Sequence, residues 1–169
     1  MKRFWLAAIL CATLLHAQHT QPVDGSVDNG ESLKSEALQG FFELAKSGDL
    51  DAQTMLGELY LDGLNGVEKD PQKAFFWISK AANREEPQAQ YLLGYMYENG
   101  IHVAKDVKKA VRWYKKSAMQ GDVLAQYNLA LIYKEGKGNV SKNINEAFKW
   151  IQMVQKEERR VEQVAMRMQ

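Results

Sequence analysis

This chain has one cysteine and three histidines in 169 residues, too few for most site chemistry. Cys11 lies in the apolar stretch Phe4–Leu15, which follows Lys2 and Arg3 and precedes His16-Ala17-Gln18. A basic start, a short apolar run and a small residue before the boundary are the marks of a secretory leader, with cleavage expected after Ala17. Removal of residues 1–17 would take Cys11 and His16 with it. The expected mature chain then has no thiol, which excludes a disulfide framework and thiol catalysis. Leu10 stands before Cys11 where a lipid-anchor signal wants a small residue. The apolar run is also too short to cross a bilayer, which takes ~18–20 such residues, so no stable membrane insertion is expected.

Histidine is nearly as scarce. Only His102 falls within the expected folded region, so a Cys–His pair cannot form and any Ser–His–Asp triad would have to use that one residue. A single histidine on a turn reads as a polar turn residue. Metal-ligand spacing is absent, and no glycine-rich phosphate loop follows a strand. The adjacent acids Glu85-Glu86 and Asp49/Asp51 stand at helix starts, where the helix dipole favours them without acid–base work. No enzyme activity, cofactor or metal is expected.

What the chain does have is a pattern returning every 36 or 37 residues. Ala52-Gln53, Leu56-Gly57 and Tyr60 recur as Ala89-Gln90, Leu93-Gly94 and Tyr97, then as Ala125-Gln126, Leu129-Ala130 and Tyr133. Asp70, Ala74 and Trp77 recur as Asp106, Ala110 and Trp113, then as Asn143, Ala147 and Trp150. Self-similarity at this period marks a helical solenoid whose units bury their apolar faces against one another. The first helix of each unit ends at Gly63, Gly100 or Gly136, each supplying a left-handed residue. The second starts at Asp70-Pro71, Asp106 or Asn143. Residues 18–30 are polar and read as a disordered linker. Residues 31–156 are expected to form the repeats, with a first helix from about Glu31 standing in for half a repeat. Residues 157–169 read as a helical cap or tail.

Two surface stripes follow from helical spacing. On the first helices, Thr54, Glu58, Tyr91, Tyr95, Tyr127 and Leu131 fall between the packing positions. Tyrosine offers a large contact at low entropic cost, which suits a peptide groove. Tyr91 and Tyr127 fit either a groove or packing between repeats. On a second helix, Lys105, Lys108, Lys109, Arg112 and Lys116 share one side; they read as a solvated face or as a contact for acidic matter. Nucleic acid is not expected, since the mature chain is close to neutral and no groove-reading motif is present. The neutral total divides unevenly along the chain: −8 over residues 18–70 and +7 over 71–169. Such polarity reads as a solvated surface with uneven acid content, or as a field able to steer an encounter or support head-to-tail self-association.

The run Ala89-Gln90-Tyr91-Leu92-Leu93-Gly94-Tyr95-Met96-Tyr97-Glu98-Asn99-Gly100, followed by Asp106, Lys109-Ala110, Trp113-Tyr114 and Lys116-Ser117-Ala118, resembles the Sel-one-like repeat. The resemblance covers about residues 37–156. It implies an all-α fold: a right-handed α-solenoid of antiparallel helix pairs, about three repeats plus capping helices. It also implies a non-enzymatic adaptor that binds a protein or peptide on its concave face, lined by the first helices. The partner-binding candidates are Glu58, Tyr91, Tyr95, Tyr127 and Leu131. An exported, periplasmic or secreted location is expected. The alternative is an envelope protein that binds or hydrolyses peptidoglycan or β-lactam-like ligands; exported proteins linked to that role are cysteine-rich, and this chain is not. His102 departs from the family in standing where the turn usually has its second glycine.

Overall fold

A computed structural model describes residues 29–167, and the repeats lie within one compact unit, Leu33–Gln169. The expected leader, its cleavage point and the linker up to residue 28 lie outside the described residues. Seven helices and no strand occur among the described residues: α1 Asn29–Ser47, α2 Leu50–Asp62, α3 Pro71–Ala82, α4 Pro87–Asn99, α5 Val107–Met119, α6 Val123–Glu135 and α7 Ile144–Arg167. The first helix takes in Asn29 and Gly30, two residues sooner than the composition suggested.

Local chemistry sets the boundaries. Carboxylates of Asp49, Asp70, Glu86, Asp106 and Asp122 each accept a backbone N–H of the following first turn, and Asn143 does the same for α7. Each such cap stabilises its helix by about 1 kcal/mol. Gly63, Gly100 and Gly136 adopt φ of 74°, 73° and 73° and end α2, α4 and α6. Past each stop the chain reverses, and the backbone N–H of Asp70, Asp106 and Asn143 donates to the carbonyl of Tyr60, Tyr97 and Tyr133. That bond closes α2 on α3, α4 on α5 and α6 on α7 as antiparallel pairs. The result is an all-α solenoid of three helix pairs, with α1 leading the stack.

The core runs through the pairs in three clusters. Ala52, Leu56 and Trp77 pack with Ala45 of α1; Ala74, Ile78, Ala89, Leu93 and Met96 form the second cluster; Ala110, Tyr114, Leu129, Ile132 and Trp150 belong to the third. Close approach within a pair needs small residues. A Cβ on Gly57 would meet Ile78 Cγ1 at 2.4 Å, and one on Gly94 would meet the Tyr114 ring at 2.6 Å. The third pair has Ala130 at this position, and register places Ile151 opposite it. Tyr114 is completely buried, with its hydroxyl donating to Glu98 Oε2 at 2.6 Å; Lys137 Nζ pairs with the other oxygen of that carboxylate. Burial and the Glu98 charge hold the Tyr114 phenol far above its usual range.

The repeated glutamine also has a structural duty. Gln53, Gln90 and Gln126 are buried, and their Nε2 groups donate to the carbonyls of Ala45, Ala82 and Ala118 at 2.8, 3.4 and 3.1 Å. Each carbonyl lies in the last turn of the preceding helix, where it also accepts the backbone N–H of Gly48, Glu85 or Gly121. One amide per repeat therefore links adjacent units. Among the described residues nothing covers the far side of α7: Ile144 and Phe148 are 54% and 61% exposed, where Val107 and Val111 in the previous repeat are buried. The helix does not turn after residue 156 but continues to Arg167, leaving Val161 and Val164 exposed.

Candidate binding face

Helices α2, α4 and α6 are equivalent in the repeat, and side chains tie them side by side. Gln88 of α4 donates to the Glu58 carboxylate of α2, and Thr54 of α2 donates to the capping carboxylate Glu86 before α4. Lys137, just past the end of α6, pairs with Glu98 of α4. The three helices thus form one continuous layer. Its outer positions align in rungs: Asp51, Gln88 and Leu124; Thr54, Tyr91 and Tyr127; Glu58, Tyr95 and Leu131; Asp62, Asn99 and Glu135.

The structure places the expected binding residues differently from one another. Tyr95 and Tyr127 are 39% and 48% exposed, and their rings stand on the layer's surface. Tyr91 is half-buried and tilts against Tyr114 with ring centroids 5.7 Å apart. Burial is the main cause that lifts its phenol above the usual range, with Asp122 adding to it. Of the two roles open to Tyr91, the contact with Tyr114 supplies the packing one. Leu131 is half-buried. Glu58 is half-buried too; burial is the largest cause holding its carboxyl above the usual carboxylate range, Asp62 and Glu86 push the same way, and the Gln88 bond opposes them. Thr54 does not belong to the surface. It is buried, and its hydroxyl bonds the Leu50 carbonyl at 2.9 Å as well as Glu86.

Reading the stripe at spacings of three and four residues missed its outer rungs. Leu124 is 61% exposed, more than any of the tyrosines, and Asp51, Gln88, Asp62, Asn99 and Glu135 flank the aromatic centre. Alignment of the three repeats position by position contains that signal.

The charge is sorted between layers. Helices α2 and α4 contain Asp51, Glu58, Asp62 and the paired Glu98, with no basic residue; α6 adds Lys134 and Glu135. Helices α3 and α5 carry Lys73, Lys80, Lys108, Lys109, Arg112, Lys115 and Lys116 and no acid. The basic half of the −8/+7 division therefore resides in large part on the second helices, α3 and α5 among them, whereas α2 carries three of the acids and the others lie outside the first helices. The basic stripe on α5 is exposed along its whole length. The Lys109 ammonium lies over the Tyr97 ring, 5.3 Å from its centre, and that of Lys116 over the Trp113 ring at 4.4 Å.

His102 sits on the second turn at φ 62°, its ring 5.4 Å from that of Phe75. Asn139 accepts the backbone N–H of Lys108 at 3.2 Å and so joins the third turn to α5. No group of three or more His, Cys, Asp or Glu residues able to hold a metal occurs among the described residues. No helix among them is long and apolar enough to cross a membrane.

The Sel1 repeat matches residues 50–85, 87–122 and 123–153. Over 81 residues the chain is 31% identical to the ERAD-associated E3 ubiquitin-protein ligase component HRD3A of Arabidopsis thaliana, a match covering 48% of this chain and 12% of that protein. Over 96 residues it is 38% identical to the chitin synthase regulator SKT5 of Saccharomyces cerevisiae, covering 56% and 13%. The chain spans about an eighth of the length of each of these relatives. Among solved structures it is similar to a Sel1 repeat protein from Oxalobacter formigenes, with 36% identity, TM-score 0.62 and coverage of 72% of this chain and 90% of that one. It is also similar to c5321, a protective antigen of uropathogenic Escherichia coli with an SLR fold (34% identity, TM-score 0.69, coverage 73% and 26%). The cysteine rich protein B of Helicobacter pylori shares the fold at 26% identity and TM-score 0.57, with coverage of 78% and 91%.

Proposed function

The chain belongs to the Sel1 repeat family, whose members mediate protein–protein interactions, and on that premise we propose that it is an exported, non-enzymatic scaffold holding a protein or peptide on the layer formed by α2, α4 and α6. One observation carries the reading: a surface across three helices on which Tyr95, Tyr127 and Leu124 stand uncovered. These exposed apolar side chains fall on neighbouring rungs of one layer, and clustering of that kind marks an interaction surface. The helices beneath them are capped and tied together, so the contacts are held ready at low entropic cost. The proposed face is the concave one. The basic, apolar and small-residue pattern of residues 1–17 supports export and a place of action in the periplasm or outside the cell.

Photo-crosslinking in cells from position 95, with position 109 on the outer layer as control, tests the face. A discrete protein adduct from 95 and not from 109 is the expected result. Equal yields from both positions, or adducts to glycan alone, would sink it.

A further inference from the structure

Resting on that reading of the face, we infer that its occupant is a cationic extended segment, with Lys or Arg over α2 and an apolar or aromatic side chain over α4 and α6. The rungs change in character from one end to the other. On α2 they present Asp51, Glu58 and Asp62; on α4, Gln88, Tyr91, Tyr95 and Asn99; on α6, Leu124, Tyr127 and Leu131. None of the three acids on α2 forms an ion pair among the described residues, and α2 contains no basic residue to neutralise them. Some surface carboxylates elsewhere have such partners, as Glu43 with Lys46, Asp70 with Lys73, Glu146 with Lys149 and Glu157 with Arg160, whereas Glu68, Glu85, Glu158 and Glu162 form none among the described residues.

What sets α2 apart is that three acids share one helix with no basic residue on it or on α4, while the cations of α3 and α5 stand on the second helices. Glu86 adds a further negative charge beside Glu58, and mutual repulsion there is relieved when a cation arrives. The next rungs suit the remainder of such a segment. Tyrosine faces accept both apolar and cationic side chains. Leu124 and Leu131 offer only apolar contact. The same charge disfavours phosphate and anionic lipid, whose groups the acids on α2 repel.

Size follows from the helix spacing. Close-packed helices are ~8–10 Å apart, and the first helices, joined to one another through side chains, stand at least that far, so three of them span at least ~20 Å from first axis to last. An extended chain rises ~3.3 Å per residue, which puts at least about six residues between the cationic and apolar anchors.

Selection of random octapeptides on the full chain tests this directly. The expected result is enrichment of Lys or Arg at one end and of Leu, Phe or Tyr at the other, with affinity falling as salt rises from 50 to 500 mM. In E58Q/D62N the basic preference should disappear and a selected peptide should bind about five- to ten-fold more weakly, as loss of two exposed pairs implies. In Tyr95→Ala the apolar preference should weaken while the basic one persists. Both variants are checked for an unchanged helical melt, so that lost binding is not lost fold. No basic enrichment, or enrichment in Asp and Glu, overturns the cationic occupant; if Tyr95→Ala still abolishes apolar selection, the binding face itself stands. Enrichment indifferent to all these variants removes the face, and this inference with it. Salt-sensitive self-association abolished by E58Q/D62N or by K108E/R112E, in place of peptide binding, would assign the face to a second copy and overturn the peptide.

Discussion

Replacing Gly94 by alanine should lower stability, although alanine is the better helix former. Within α4 the exchange favours the helix by ~1 kcal/mol. The added Cβ, however, would stand 2.6, 2.7 and 3.1 Å from three atoms of the Tyr114 ring. Ordinary carbon contacts begin near 3.5 Å, so the ring must retreat by roughly 0.8 Å. Tyr114 has little freedom to do so. It is fully buried, its hydroxyl is held by Glu98, and its ring lies against Tyr91. Overpacking costs ~1–3 kcal/mol, and a ring confined on several sides belongs in the upper part of that range. The net loss is then about 1–2 kcal/mol, read as a fall in Tm of about 4–8 °C for a unit of this size. Thermal and urea melts of the wild type and G94A measure it. A double-mutant cycle with Tyr114→Ile makes the test specific, because Ala with Ile is the combination present at Ala130 and Ile151 in the third repeat. The two changes together should cost at least ~1 kcal/mol less than their sum. A Tm that rises in G94A, or strictly additive costs, would refute the argument.

Three other changes follow from the structure. Glu85 adopts φ 68° where the other repeats have Gly48 and Gly121 at 101° and 94°, so Glu85→Gly should stabilise by about 0.5–1 kcal/mol in thermal melts; an unchanged or lower Tm would count against backbone strain there. Gln126→Leu removes the side-chain donor to the Ala118 carbonyl, which keeps the Gly121 N–H, and should cost about 0.5–1.5 kcal/mol by urea denaturation, whereas a neutral effect would mean that this amide link between units adds no stability. For Glu58 the folded-state pKa is raised, so the fold favours the protonated form, and the Glu58 contribution to stability is lost as pH rises through that pKa. Glu58→Gln should therefore be more stable than the wild type at pH 7–8, with the difference fading in acid below the usual carboxylate range; a gain that persists or grows in acid would reverse the sign and refute it.

Helix boundaries were legible in the sequence because their causes are local. A carboxylate three residues before an N–H, a proline at the first helical position and a glycine past the last act over one turn, and the chain displays them directly. Pairing was legible for a related reason: equal spacing of Ala, Leu, Tyr and Trp in three copies leaves few ways to bury all three except in a stack. Other features depend on what a neighbouring unit brings. Thr54 occupies a surface position by spacing, yet Glu86 reaches over it from the next repeat and buries it. Glu98 lies beside a polar Asn99 and Gly100, and nothing local marks it as the buried partner of Tyr114 and Lys137, which are 16 and 39 residues away.

Charge shows the same division. Counted along the chain, acid precedes base. Folding the repeats sorts those residues by helix type, with acids on α2 and bases on α3 and α5, because alternate helices belong to opposite layers. Period and composition therefore sufficed for the architecture, since both are properties of one unit repeated. Which side chains stay open, which carboxylates lack a cation and which glycine touches a ring are properties of the contact between units. Those were settled only once the units were stacked.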